Sequence, residues 1–360
     1  MNIGLYVDSR LDIGPVAQAV EAAGLSHLWL YDSPLVFGDT SMAMLVAAQR
    51  TTRLLIGPGV ANPLQRPPEY TAQMLATLSV AAPGRVFFGL GIGNSARRSL
   101  GLPPARLADL RRHLTTVRGM LDGDDVDAAQ DGDERLVRFI HPEGPWIDLT
   151  ARVPLWLSAF GPAGQRLAAE IADGVLARWE GPDSMADQIS RAASVPRTLG
   201  APLAHGVVYA VQPIDDESEL DTAQMRAALG PLVVSRLRYL TANVAEPEDV
   251  PAHFRDGFVA YRAYREQLDP RARHLDNYRG YLVHTPPDLE RFVTPESMKA
   301  VALVGSPGRV AEELRLMAAS GVDHCSLQMA GDHVRWSVRM AEQVFPLLGT
   351  EPGQVLEVAA

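Results

Sequence analysis

The sequence predicts an α/β fold, a (β/α)8 TIM barrel with insertions at the C-terminal face of its sheet. Three observations predict it. Short apolar runs recur along the chain, segments with helical spacing separate them, and the runs are continuous rather than alternating, as in parallel strands buried on both faces. The runs are Ile3–Val7, Leu28–Tyr31, Leu54–Val60, Val86–Leu90, Leu155–Ala159, Val175–Ala177, Val207–Val211 and Ser326–Met329. Eight such strands with helices between them close into a parallel barrel.

Taken in order, the second run ends in Trp29-Leu30-Tyr31-Asp32-Ser33. Asp32 then sits at the C-terminal end of a strand, the catalytic face of a barrel. An acid there is costly unless it is hydrogen-bonded or meets a ligand. A helix cap or a loop salt bridge accounts for it equally well. The third run closes with Gly57-Pro58-Gly59-Val60-Ala61-Asn62-Pro63, where crowded Gly and Pro mark special backbone geometry. The fourth runs into Leu90-Gly91-Ile92-Gly93-Asn94-Ser95-Ala96, a match to G-x-G-x-x-A. A dinucleotide turn is one reading, a purely structural glycine turn another. The match follows the fourth strand rather than the first, and no acidic strand end follows to hold a ribose. A glycine-lined rim, where a flat ring approaches the backbone, accounts for it best.

Leu107, Leu110, Leu114, Val117 and Leu121 then recur at intervals of three or four, which puts them on one helical face. The acidic stretch GDDVDAAQDGDE follows and reads as a solvent-facing loop; RLVRF and PWIDL after it read as a small hairpin over the barrel. The fifth run opens on Ser158-Ala159-Phe160-Gly161-Pro162-Ala163-Gly164-Gln165-Arg166. Small residues leave backbone N–H groups free at a helix start, where the dipole favours an anion such as phosphate. An ordinary strand-to-helix turn is the plain alternative. Arg178 ends the sixth strand and can add a charge-assisted contact to the same anion. Residues 213–306 form a long, mostly helical insertion lobe with Pro247, Pro251, Pro270, Pro286, Pro287 and Pro295. Val310, Leu314 and Met317 mark the last crossover helix. One domain, residues 1–360, with that lobe inserted over the mouth, is the simplest organisation.

Composition bounds the function. The 360 residues are 47% hydrophobic and 21% charged, with net charge −10, and Lys299 is the only lysine. No basic stripe suits nucleic acid. The single cysteine, Cys325, cannot form an internal disulfide; the first residues are not expected to be a signal peptide, and no stretch reaches about 18 apolar residues. A cytoplasmic protein with no membrane partner is expected. The histidines show no metal spacing, so no metal is expected. His284, in GYLVHTPP of the insertion, could reach the pocket or serve structure alone. The absence of G-x-S-x-G argues against a hydrolase.

Together WLYDSP, IGPGVANPLQRPPEYTAQMLATL, GRVFFGLGIGNSARRSLG, GPAGQRLAAEIADGVL and SPGRVAEELRLMAASGVDHCSL span nearly the whole chain. As a set they resemble the bacterial luciferase-like superfamily, in feel its methylenetetrahydromethanopterin-reductase-like branch, which uses coenzyme F420, a 5-deazaflavin. The resemblance implies a hydride-transferring oxidoreductase that binds coenzyme F420 and a small organic substrate and works as a homo-oligomer, a homodimer or tetramer. The rival it implies is a reduced-FMN monooxygenase; a non-catalytic flavin-binding protein is the third. It implies that Asp32 sits by the ring system and that Gly59-Val60 is a non-prolyl cis peptide backing it. Asn62, Gly91, Gly93, Asn94 and Ser95 would line the ring or its side chain. Ser158, Gly161, Pro162, Ala163, Gly164, Gln165 and Arg178 would surround the phosphate. Arg66, Arg97 and Arg98 would face the carboxylates of a lactyl-glutamyl tail. Sugar-phosphate dehydrogenases of the superfamily carry a histidine and a glutamate where this chain has Ser33 and Asn94. That activity is not expected, and no catalytic acid or base carries over; Asp32, Asn94 and His284 are the candidates.

Overall fold

The computed structural model describes residues 1–128 and 135–349. Its strands are β1 (Asn2–Val7), β2 (His27–Leu30), β3 (Leu55–Pro58), β4 (Phe88–Leu90), β5 (Val126–Asp127), β6 (Leu136–Val137), β7 (Leu155–Ser158), β8 (Gly174–Arg178), β9 (Ala204–Pro213), β10 (Leu303–Gly305) and β11 (His324–Gln328). Eight of them pair in the order β3-β2-β1-β11-β9-β8-β7-β4. Every pairing along that path is parallel. Single bridges from Ile56 to Val86 and from Ala61 to Leu90 join β3 to β4 and complete the ring. The fold is a (β/α)8 barrel. A doubly wound dinucleotide sheet is thereby excluded, and with it the dinucleotide reading of residues 91–96.

Crossover helices run over Gly14–Ala22, Thr40–Arg50, Pro68–Ala81, Leu107–Leu121, Pro162–Ile171, Pro182–Ala193 and Pro307–Ala319. Several start as sequence chemistry dictates. Asp39 accepts the N–H groups of Ser41 and Met42, Ser306 accepts that of Arg309, and prolines occupy first turns whose N–H groups have no partner anyway.

Alternation along each strand splits the core in two. Ile3, Leu5 and Val7 of β1, with Leu28 and Leu30 of β2, face the helices in one buried cluster. Tyr6, Trp29, Phe87, Trp156 and Leu176 face inward and form a second. Near the N-terminal end the interior is plugged by rings. The Trp29 indole N–H donates to His324 Nε2 at 3.0 Å, and Trp29 lies 4.3 Å from Phe87 and 5.9 Å from Trp156, centroid to centroid. Gly174 makes room for Trp156, since a Cβ there would stand 2.3 Å from the indole. A barrel interior packed with side chains leaves only its mouth open.

Between β9 and β10 lie the helices Ala223–Asn243, Ala252–Glu266, Arg273–Tyr278 and Pro295–Val301. Their apolar residues, Leu229, Val233, Phe254, Phe258 and Tyr261 among them, belong to the same cluster as the barrel's interior rings.

Two local expectations are corrected. The small hairpin pairs β5 with β6, so the acidic stretch supplies one arm and PWIDL supplies none. Val126 is the reason: its side chain packs over Gly119 of the neighbouring helix, where a Cβ would stand 2.6 Å from it. Residues 129–134 of the expected acidic loop lie outside the described residues. The strand β10 has no counterpart among the predicted runs. Three residues are too few to carry a periodicity, and only their pairing with Val211–Pro213 makes them a strand. Among the described residues no helix is long and apolar enough to cross a membrane.

Candidate active site at the barrel mouth

A cavity of about 840 Å³ opens at the C-terminal ends of the barrel strands. Of the residues singled out in the sequence, Asp32, Gly59, Val60, Gly91, Gly93, Asn94, Ser95, Ser158, Gly161, Gly164 and Arg178 line it. They come from five different strand ends, which is how the fold converges distant segments on one spot.

After β3, the Gly59–Val60 peptide is cis. Gly59 donates its N–H to the Leu30 carbonyl at 2.6 Å, and Ala61 and Gly91 are tied to Gly89 and Ala61 at 2.9 Å. Gly59 and Gly91 have no room for a side chain. A Cβ on Gly59 would stand 2.4 Å from Tyr6, and one on Gly91 would stand 2.7 Å from Val60. Gly93, at φ 71°, turns the chain into the short helix Asn94–Arg98. The result is a rim on which the backbone at Gly59, Gly91 and Gly93 lies between the side chains of Val60 and Asn94.

Asp32 is buried, at 6% exposure. Its Oδ1 accepts from Thr40 Oγ1 at 3.2 Å and Gln65 Nε2 at 3.0 Å, and Arg66 stands 3.8 Å from Oδ2. Burial pushes its pKa up; Arg66, Gln65 and Thr40 pull against that, and the net direction is upward. Asp32 thus touches the cavity while its carboxylate is held from behind.

After β7, Gly161 precedes the helix Pro162–Ile171, whose first intrahelical bond runs from the Gln165 N–H to the Gly161 carbonyl. The N–H groups of Ala163 and Gly164 precede that bond and are left over, while Pro162 has none. A Cβ on Gly161 would meet nothing within 4 Å. Arg178, from the end of β8, lies 4.8 Å from the Phe160 ring and 4.5 Å from the Tyr239 ring. Arg236 lines the same corner. Burial and the charge of Arg178 both hold its pKa below the usual arginine value. Neither guanidinium forms an ion pair with a carboxylate among the described residues. This corner combines spare backbone donors with two cations, and Glu180, which lines the same cavity, acts on Arg236 from beyond ion-pair distance.

Several expected residues are elsewhere. The Gln165 side chain turns to Gln188 and Arg191, at 3.3 and 3.1 Å, and its N–H is spent inside the helix. Pro162 and Ala163 sit on the exposed helix start beside the cavity rather than in its wall. Asn62 is buried in its own loop, donating to Gln65 at 2.7 Å and accepting from Leu64 at 3.1 Å. His284 is exposed and does not reach the cavity, because the turn from Gly280 carries it to the surface. Arg66 pairs with Asp39 at 3.0 Å, and Arg97 donates to the Pro103 carbonyl at 3.0 Å. Of the three arginines only Arg98 lines the cavity.

Other lining residues were not among the expected site residues: Tyr6, Tyr31, Gln328, Tyr278, Tyr281 and Arg238. Tyr6 and Tyr31 stack at 5.2 Å, and Gln328 donates to the Tyr31 hydroxyl at 2.8 Å. The inward register of Trp29 and Tyr31 on one strand was the available signal for Tyr31. The lobe residues carry no local signal.

A parallel barrel whose mouth joins a glycine-lined surface to a cationic, backbone-rich corner defines a class of barrel proteins that bind flat, phosphate-bearing cofactors. Within that class, the luciferase-like monooxygenase family matches residues 9–324, and the chain belongs to this family of enzymes. It is 29% identical over 196 residues to a 5,10-methylenetetrahydromethanopterin reductase of Methanolobus tindarius, covering 54% of this chain and 58% of that one. The chain spans about half the length of the curated relatives it matches. Among solved structures, it resembles the coenzyme F420 dependent tetrahydromethanopterin reductase of Methanopyrus kandleri, with a TM-score of 0.67 at 18% identity over 96% of this chain and 98% of that one. It also resembles the oxygenating constituent of 3,6-diketocamphane monooxygenase of Pseudomonas putida, solved with FMN, with a TM-score of 0.64 at 17% identity over 100% and 99%. At those identities the likeness is one of fold.

Proposed function

We propose that the protein is an oxidoreductase that transfers a hydride between coenzyme F420 and a small organic substrate. The observation that carries the reading is the junction of the Gly59–Gly91 surface with the Gly161, Arg178 and Arg236 corner in one cavity. Bound there, a deazaflavin supplies a carbon that gives or takes a hydride. The chain's own residues do the rest. Gly59, Val60 and Gly91 back the flat ring, and the absence of a side chain at the two glycines lets it approach the backbone there. The Gly164 N–H group, with Arg178 and Arg236, holds the phosphate; two charge-assisted contacts in a partly buried corner are stronger than neutral ones. Tyr6, Tyr31 and Gln328 form the wall where the substrate lies, and the lobe's Leu232 and Tyr281 exclude water. Asp32, bound by Thr40 and Gln65, positions the loop after β3 rather than moving protons. The relatives named for methylenetetrahydromethanopterin reduction support this reading.

Fluorescence titration with F420 and with FMN tests it: F420 should bind at least tenfold more tightly, and equal affinities would refute the preference. The second reading, a reduced-FMN monooxygenase, is favoured by the family's name. Oxygen consumption with reduced FMN and none of the deazaflavin would establish it. Residues 213–306 belong to the same proposal as a lobe inserted into a single domain. So do a homo-oligomeric, cytoplasmic state, which light scattering and fractionation check, and the absence of nucleic-acid and membrane partners.

A further inference from the structure

We infer that the lobe wall of the cavity, built around Arg238, is a subsite for a carboxylate on an organic molecule. The inference deepens the reading above and rests on it only for what shares the cavity. Arg238, on the helix Ala223–Asn243, lines the cavity yet is 4% exposed. Its Nη2 donates to the Arg279 carbonyl at 2.9 Å, and the Tyr261 hydroxyl stands beside it. Nε and Nη1 have no hydrogen-bond partner among the described residues. The guanidinium carbon lies 5.9 and 5.7 Å from the ring centroids of Tyr278 and Tyr281, which line the same wall. Arg98 completes it, with Nε on the Asn94 side-chain oxygen at 2.9 Å.

No carboxylate of the described residues pairs with Arg238 or Arg98. Asp288, the acid that acts on Tyr261, is taken by Arg279 and by Tyr264. This is out of character for the chain, which has 43 acidic residues against 33 basic ones. A buried cation without a counter-charge destabilises the fold, and removing the partner of such a charge is among the costliest changes in a protein. The missing counter-charge is supplied when a ligand binds. A carboxylate fits best: it carries one charge, it matches a planar guanidinium, and the flanking tyrosine rings accept the apolar stem beside it. A carbonyl would leave the charge uncompensated. A phosphate has its own corner at Gly161 and Arg178.

Two molecules can bring that carboxylate, the substrate or the tail of the cofactor. Calorimetric titration of the cofactor-free protein with benzoate and with benzamide tests the site itself. Benzoate should bind at least tenfold more tightly, and Arg238→Met should abolish that difference. Because it removes an uncompensated charge, R238M should also keep or raise the melting temperature, which a merely structural arginine would not allow. Arg98→Ala, at the rim, should weaken benzoate several-fold and serves if R238M does not fold. Equal binding of benzoate and benzamide, or benzoate binding unchanged in the folded variants, overturns the inference. R238M binding F420 as the parent does assigns the carboxylate to the substrate. A tenfold loss for F420, with none for the same ring and ribityl chain lacking phosphate and tail, assigns it to the cofactor. If the parent fails to bind F420 at all, the cofactor reading falls and the benzoate result still stands.

Discussion

At Gly59 a Cβ would stand 2.4 Å from Tyr6 and 2.7 Å from Trp29, both fixed in the ring-packed interior. Gly59→Ala should therefore cost about 1–3 kcal/mol, as overpacking does, measured by chemical denaturation. Gly161 is the opposite case, since a Cβ there meets nothing. Gly161→Asp should leave stability within about 0.5 kcal/mol, as exposed substitutions do, and weaken cofactor binding at least tenfold by repelling the phosphate. Unchanged affinity in the titration would refute the phosphate assignment. Asn94 lies on the cavity rim with its amide oxygen on Arg98. An amide does not titrate, so Asn94→Ala should change relative kcat/KM among substrates and leave the pH optimum in place. Asp32 was visible because a charge at the end of an apolar run stands out. Arg238 was invisible: among the arginines of this chain nothing local marks the one that is buried without a partner.

The helix Ala223–Asn243 is the element that joins lobe to barrel. Leu232, Ser235, Arg236, Tyr239, Ala242 and Asn243 line the cavity at spacings of three and four, one face of a helix, and Arg238 reaches the same cavity from the edge of that face. Through Tyr239 that face holds Arg178, a barrel residue, against Phe160. Tyr239→Ala should lower cofactor affinity about two- to thirtyfold, the range of a cation–π contact worth about 0.5–2 kcal/mol, with little change in melting temperature. A full loss of stability instead would make the contact structural. The apolar runs marked all eight barrel strands because burial on both faces leaves an unbroken hydrophobic signature. They missed β10 and misassigned one arm of the hairpin, since pairs of two or three residues are made by their partners.

Across the whole molecule, buried histidines tie stability to pH. Burial lowers the pKa of His113 from 6.5 to about 4 and that of His27 to about 3. Above pH 6.5 both are neutral whether the chain is folded or not. Below it the unfolded chain takes up protons that the folded chain refuses, so stability falls as pH drops from 6.5 towards 4. The slope is at most about 1.4 kcal/mol per pH unit for each histidine. Melts at pH 7.5 and 5.0 should show the drop, and His113→Leu should reduce it; a flat profile would refute the assignment.

The sequence by itself determined the barrel, the strand ends that carry the glycine rim, and the helix start beside Arg178. Each rests on a local rule: periodicity, a residue without a side chain, a turn of small residues before a helix. Only the tertiary structure decided which of those residues share one cavity and which arginines are spent elsewhere. It also supplied the opposite wall, from Tyr6, Tyr31 and Gln328 to Tyr281 and Arg238. That wall joins β1, β2 and β11 to the lobe, segments hundreds of residues apart in places. Their proximity comes from closure of the ring and from the apolar cluster that packs the lobe onto it, and neither leaves a trace within any one stretch of chain.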